Sequence, residues 1–254
     1  MVMSERLSRP RRVGIWTSRV LAVLLVSMFV VPLGLPTDSV PPLSGGANAI
    51  DYAASDGRWG WGNYDRGHSS SFGHNQLDHG TFVYMDLGPY AALIYLLGDI
   101  NCHQKTERSW EINGNQMPVC ARDIGILAGA LLMSVLFTFR GRNRWLVRDT
   151  ALSIFPSHWL EPVYRTNKRT KVCLGMAALA IIPIGLDGGI QLLTDYESNN
   201  ILRLLTGAIF GAGVCLYFLA GMSARPSEHG HDPSKVNLPA GLRFQRPASE
   251  YQEE

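Results

Sequence analysis

Residues 172–222 read VCLGMAALAIIPIGLDGGIQLLTDYESNNILRLLTGAIFGAGVCLYFLAGM. The stretch consists of two apolar runs, residues 172–193 and 201–222, separated by a short polar turn that contains Asp195 and Glu197. Each run has about 20 residues, the length that an α-helix needs to cross a hydrocarbon core roughly 30 Å thick. The stretch therefore predicts two antiparallel transmembrane helices.

Three further apolar runs precede this pair. Residues 13–35 and 124–139, the second extendable back to residue 119, predict two more spans. Residues 87–98 form a shorter run bracketed by Asp86 and Asp99, and an apolar run of roughly 10–14 residues is more typical of an interfacial or re-entrant segment. The predicted fold class is all-α, a polytopic membrane protein with about four transmembrane helices plus this short segment.

Charged residues are scarce and unevenly distributed. Only 17% of the 254 residues are charged, below the roughly 25% of soluble domains. The net charge of +2, with no basic stripe interleaved with aromatic residues, argues against nucleic-acid binding. Arginine and lysine concentrate in residues 1–19 and 140–171, whereas acids outnumber them in residues 37–119. Because cytoplasmic loops carry excess positive charge, both termini are predicted to lie in the cytoplasm of a cell-membrane protein.

The sequence divides into four expected parts. Residues 1–36 hold the cytoplasmic N-terminus and the first transmembrane helix, and residues 37–99 form an extracytoplasmic loop with the interfacial segment. Residues 100–222 form a membrane core with three helices, and residues 223–254 form a flexible cytoplasmic tail. Glycines spaced four apart in the core, Gly125 with Gly129 and Gly207 with Gly211, predict close approach between helices.

An unusual cluster of polar residues falls at the extracytoplasmic end of this predicted bundle. Asp187 lies about six residues, or about 9 Å, inside its helix, and Gln191 shares its face because it is four residues away. An ionisable residue within a span costs about 2.5–3.5 kcal/mol and usually faces a partner or a cavity. Arg122 and Arg203 are the expected partners of Asp187, and a purely structural salt bridge is the alternative.

Two cysteines in the same region admit three interpretations. Cys102, His103, Cys120 and Asp123 offer thiolate, imidazole and carboxylate ligands, which zinc or another transition metal accepts. A structural disulfide between Cys102 and Cys120 would contribute roughly 3 kcal/mol in the chain-entropy model. A redox-active thiol pair is the third interpretation.

Basic residues at the same level predict an anionic ligand. The guanidinium group forms paired hydrogen bonds with phosphate or carboxylate, so an anionic lipid or a small anionic substrate is the expected ligand, and pairing with nearby acids is the alternative. The candidate substrate-binding residues are Arg108, Arg122, Gln191 and Arg203. Asp187 and His103 are the candidate acid/base residues of a catalytic site.

The pattern of these motifs resembles a known family. The residues are Cys102-His103-Gln104, Arg108-Ser109 and the sequence PVCAR at 118–122, followed by Asp187-Gly188, Gln191 and the sequence ESNN at 197–200. Together they resemble domain-of-unknown-function family 2085, a group of prokaryotic integral membrane proteins, over residues 100–220. The resemblance implies no activity. Family members commonly have a further cysteine where this chain has Asp123, a difference that favours metal binding over thiol redox chemistry.

Three functional hypotheses follow. The first is a membrane-embedded enzyme or binding protein with the polar, metal-binding site described above. The second is a transporter or channel component in which Asp187 and Gln191 line a path, and the third is a structural or assembly subunit with a Cys102–Cys120 disulfide. The lipid bilayer is the expected partner in each case, and the sequence contains neither a nucleotide-binding glycine loop nor a serine hydrolase elbow.

Overall fold

Helices dominate the computed structural model, which describes residues 7–40, 87–102 and 105–244. The helices in chain order are α1 (Arg9–Gly34), α2 (Pro89–Asn101), α3 (Ala121–Arg140), α4 (Val147–Ala151), α5 (Ser157–Arg165), α6 (Arg169–Leu193) and α7 (Asn200–Ser223). Two short strands, β1 (Glu111–Ile112) and β2 (Asn115–Gln116), form an antiparallel hairpin. The predicted all-α fold class is confirmed, and the hairpin is a small addition to it.

Four of the helices, α1, α3, α6 and α7, are long and apolar enough to cross a membrane. Their large apolar side chains are widely exposed, as Phe139 (77%) and Leu192 (83%) illustrate. Such a large exposed apolar surface is favourable in contact with lipid and unfavourable in contact with water. Helix α2 has 13 residues, too few to span a bilayer, as expected of the short segment at 87–98.

Contacts between residues divide the chain into two compact units. One, here called the site unit, consists of residues 22–128 and 187–208. The other, here called the tail unit, consists of residues 1–21, 129–186 and 209–254.

The hairpin and helix α2 form much of the core of the site unit. Asn113 and Gly114 connect the strands with positive φ angles of 54° and 72°, a conformation that suits a tight hairpin turn. The amide of Asn115 donates hydrogen bonds to the carbonyls of Pro32 and Pro36, each 3.0 Å away. Tyr95 of α2 is fully buried and its hydroxyl donates to the carbonyl of Gln116 at 2.6 Å. These contacts fix the end of α1 and helix α2 to the hairpin.

Helices α3 and α7 approach closely within the site unit. A Cβ atom added at Gly125 would collide with the carbonyl of Leu204, and one added at Gly207 would collide with the carbonyl of Arg122. Close backbone approach at small residues is the usual packing of membrane helices. The expectation of glycine-mediated packing is confirmed at these two positions.

The tail unit contains the segment after α7. Residues 224–244 include three 3₁₀ turns, at Pro226–His229, Pro233–Lys235 and Pro239–Gly241. Val236 and Leu238 are buried in one cluster with Leu160 of α5. Flexibility of residues 223–254 stays a prediction, and residues 245–254 lie outside the described residues.

Candidate functional site

The start of helix α3 and the end of helix α2 position the two cysteines. Cys102 is the extended residue that ends α2, and it is 3% exposed. Cys120 directly precedes α3, and Asp123 lies in the first turn of that helix. The backbone N–H of Cys120 donates to Sγ of Cys102 at 3.1 Å, so the two sulfur-bearing residues are held side by side.

The three side chains form a compact group of metal-ligand types. One ligand atom from each of Cys102, Cys120 and Asp123 lies within 4.8 Å of the other two. Within the described ranges, no disulfide bond joins the two cysteines. When protonated, the thiol of Cys120 donates to Oδ2 of Asp123 at 3.1 Å.

The pKa values of the two thiols move in opposite directions. The hydrogen bond from the Cys102 thiol lowers the pKa of Cys120. The same bond, followed by burial, raises the pKa of Cys102. With Cys120 as a thiolate, its sulfur and the Asp123 carboxylate would be adjacent anions, an arrangement that a shared proton or a cation stabilises.

A basic cavity of about 130 Å³ opens beside this group, here called the site cavity. The thiol and carboxylate residues form one part of its lining, and Asn101 forms another. The rest of the lining is cationic: Lys105, Arg108, Arg122 and Arg203. Metal-ligand groups and cationic groups therefore share one small cavity.

Glu197 links two of the cations. Its two carboxylate oxygens accept hydrogen bonds from Arg108 and Arg203, each at 2.7 Å. These bonds, led by the one from Arg108, lower the pKa of Glu197. Arg203 is 2% exposed and also donates to Oε1 of Gln191 at 3.3 Å and Oδ1 of Asn200 at 3.2 Å. This network holds the Arg203 guanidinium in a fixed orientation.

Asp187 is connected to the site cavity through Arg122. It forms an ion pair with Arg122, one of its two predicted partners, and its side chain is only 4% exposed. The side-chain amide of Gln191 donates to the backbone carbonyl of Asp187 at 3.0 Å. Neither Asp187 nor Gln191 is among the described residues that line the cavity. Each instead holds an arginine that does line it.

The structure thus brings together most of the residues that the sequence singled out. Cys102, Cys120, Asp123 and the three arginines line the same cavity, whereas His103 lies outside the described residues. Lys105 and Asn101 were not among the predicted site residues. The alternative expectation, that the arginines pair with nearby acids, is met, because Arg108 and Arg203 pair with Glu197 and Arg122 pairs with Asp187. Lys105 carried a signal, because lysine and arginine are rare in residues 37–119.

Comparison with known proteins places the chain in a family. The sequence model of family 2085, described as a predicted membrane protein, matches residues 102–217. An uncharacterized protein of Methanothermobacter thermautotrophicus is 35% identical over 115 residues, which are 45% of this chain and 81% of that protein. The chain belongs to this family. An uncharacterized protein of Methanocaldococcus jannaschii is 31% identical over 126 residues, which are 50% of this chain and 66% of that protein.

The family 2085 match covers the candidate metal ligands and the arginines of the site cavity, because it begins at Cys102 and extends beyond Arg203. Helix α1 lies outside the matched residues. No solved structure matches the chain.

Proposed function

We propose that this family 2085 protein is a membrane-embedded transition-metal protein whose site cavity receives a small anionic group. Cys102, Cys120 and Asp123 would hold the metal. The observation that carries the proposal is the proximity of their three ligand atoms, all within 4.8 Å of one another. Two thiolates and a carboxylate are ligands that zinc accepts, and tetrahedral zinc needs one more.

The fourth position distinguishes a structural from a reactive site. Structural zinc sites have four protein ligands, whereas catalytic sites keep one position open for water or substrate. We propose His103 as the fourth ligand, since it is adjacent to Cys102 in the chain. If the fourth position is open, His103 is instead the proposed acid/base residue. A metal bound here would act as a Lewis acid or activate a water molecule.

The basic lining supports an anionic ligand. Arg108 and Arg203 share a single carboxylate, Glu197, so their two positive charges are only half neutralised by it. A phosphate or carboxylate in the site cavity could form paired hydrogen bonds with these guanidinium groups beside the metal. An anionic lipid headgroup and a small anionic substrate both carry such a group.

Asp187 and Gln191 take positioning roles in this proposal. The ion pair between Asp187 and Arg122 would aim the guanidinium into the site cavity, and Gln191 would do the same for Arg203. We also propose that the site faces the extracytoplasmic side, because basic residues concentrate at the N-terminus and in residues 140–171.

Elemental analysis of the detergent-purified protein tests the metal site. We expect about one zinc per chain in the wild-type protein, and loss of it in Cys120→Ser, because a site with three protein ligands loses one thiolate. Cys173→Ser is the matched control, since Cys173 is a buried cysteine of α6 in the tail unit and should leave the zinc in place. Wild-type protein without a transition metal after purification in zinc-containing buffer would contradict the proposal.

A reversible Cys102–Cys120 disulfide is the second candidate. The 3.1 Å contact between the Cys120 N–H and Sγ of Cys102 favours it, because that contact brings the two residues close together. Mass spectrometry after alkylation distinguishes the two functions. A metal-free protein that loses two alkylatable thiols on oxidation and regains them on reduction would support the disulfide.

A further inference from the structure

A second cavity lies in the tail unit, between the first turns of α1 and the last turns of α7. It has a volume of about 400 Å³ and is here called the terminal groove. Two arginines, Arg9 and Arg12, line one end of it. The remaining lining is mainly apolar and comes from both helices: Val13, Trp16, Phe218 and Met222.

The arginines at the groove are available to an anion. Arg9 is anchored at one atom, since its Nε donates to the carbonyl of Met222 at 2.7 Å. Within the described part of the chain, neither Arg9 nor Arg12 forms an ion pair. The first turn of α1 contains no acidic residue that could neutralise them. Two guanidinium groups therefore face one end of the groove without a carboxylate partner among the described residues.

Two of the apolar residues, Trp16 and Phe218, lie about one helical turn deeper than the arginine end of the groove. Trp16 follows Arg12 by four residues, and Phe218 precedes Met222 by four residues, so each is displaced by about 6 Å along its helix. Trp16 is 65% exposed and Phe218 is 55% exposed. Both side chains belong to helices that are apolar enough to cross a membrane, so their exposed surfaces are suited to contact with acyl chains. Tryptophan is also enriched at the membrane interface, where lipid headgroups and acyl chains meet.

We infer that the terminal groove binds one anionic phospholipid, with its headgroup phosphate on Arg9 and Arg12 and an acyl chain along Val13, Trp16 and Phe218. Charge complementarity selects this occupant, because among the residues that the structure describes, the charged groups lining the groove are cationic. A zwitterionic lipid carries a compensating positive charge that these arginines would repel. A free phosphate would leave the apolar part of the groove unused. The inference does not depend on the proposed metal site, which lies in the other unit.

Native mass spectrometry of the full chain in detergent measures this binding directly. Phosphatidylglycerol and phosphatidylcholine with identical acyl chains are titrated separately, and the wild-type protein is expected to retain phosphatidylglycerol preferentially. Each direct guanidinium–phosphate hydrogen bond contributes at least about a fivefold change in affinity. We therefore expect about fivefold weaker phosphatidylglycerol binding in Arg12→Gln and roughly 30-fold weaker binding in a double variant with Arg9→Gln.

Arg11→Gln is the matched control, because Arg11 is adjacent and exposed but does not line the groove. It removes the same charge and should change binding less than twofold. Equal weakening by Arg11→Gln and Arg12→Gln would overturn the inference, since it would indicate only general attraction to a basic terminus. Equal affinity of the wild-type protein for the two lipids would also overturn it.

Two further experiments distinguish binding of a lipid from binding of a free phosphate. Phe218→Ala should weaken phosphatidylglycerol binding several-fold, because it removes apolar contact with the acyl chain. Soluble glycerol phosphate should fail to displace the bound lipid. Displacement by glycerol phosphate at concentrations equal to the lipid would show that the acyl part of the groove is not used, and would refute the lipid assignment.

Discussion

The ion pair between Arg122 and Asp187 should couple the start of α3 to the end of α6 energetically. The Asp187 side chain is 4% exposed, whereas the Arg122 side chain is 23% exposed and borders the site cavity. Removing either partner leaves the other charge uncompensated, but the consequences differ because the two groups differ in exposure. We therefore expect an asymmetric result from the two single variants, Arg122→Gln and Asp187→Asn.

The exposure of each partner sets the expected magnitudes. Arg122→Gln leaves the buried Asp187 carboxylate without its positively charged partner and should lower the free energy of unfolding by about 3–5 kcal/mol. Asp187→Asn leaves a guanidinium that can turn toward the site cavity, so a loss of about 1–3 kcal/mol is expected. The double variant removes both charges and should cost no more than Arg122→Gln alone. The coupling energy should therefore be about 1–3 kcal/mol.

Unfolding by sodium dodecyl sulfate in mixed micelles, followed by circular dichroism, measures these free energies. The pair Glu161–Arg165 provides the control, since it is an i,i+4 pair with side chains 44% and 62% exposed. Its coupling should be about 0.3–0.5 kcal/mol. Additivity of Arg122→Gln and Asp187→Asn within about 0.5 kcal/mol would refute the argument that this pair is a buried, coupled contact.

Two further predictions concern the site unit. Gly125→Ala should lower the free energy of unfolding by about 1–3 kcal/mol, because the added Cβ would collide with the backbone of α7. Gly189→Ala is the control, since a Cβ at Gly189 meets open space, and it should be neutral or stabilising by up to about 1 kcal/mol. Equal effects of the two variants in the sodium dodecyl sulfate titration would contradict the close approach of α3 and α7. The hydrogen bond from Arg108 lowers the pKa of Glu197 below its ordinary value of 4.5. The ionised Glu197 therefore stabilises the folded protein above pH 4.5, and this stabilisation is lost as the pH falls through the lowered pKa. In thermal unfolding, Glu197→Gln should lower the stability by about 1–3 kcal/mol, because the buried Arg203 loses its carboxylate partner even though Glu197 itself is largely exposed. The difference from wild type should shrink in acid, and a difference independent of pH would argue against this ion pair.

The transmembrane helices could be predicted from sequence because length and hydropathy determine them. The prediction of residues 172–193 corresponds to Arg169–Leu193, and that of 201–222 corresponds to Asn200–Ser223. The small differences occur at helix ends, where charged and polar residues continue a helix without adding hydropathy. The orientation of these helices in the membrane stays a prediction, since it depends on charge asymmetry alone.

The candidate site was only partly predictable. Proximity of Cys102 and Cys120 follows from their positions at helix ends, and the expected pairing of Asp187 with Arg122 is confirmed. Which of these two residues lines the site cavity depends on helix rotation. The lipid-facing and protein-facing surfaces of a membrane helix are both apolar, so the sequence specifies that rotation weakly. The hairpin was missed although Asn113-Gly114, a strong turn signal, was present in the sequence.

Cys102, Cys120 and Asp123 are proposed to bind one transition metal together. X-ray absorption spectroscopy at the zinc edge of the purified wild-type protein identifies the atoms that coordinate this metal. We predict two sulfur ligands at about 2.3 Å, with the remaining ligands being nitrogen or oxygen at about 2.0–2.2 Å. A zinc spectrum without sulfur ligands, or one that is unchanged in Cys120→Ser, would contradict the claim.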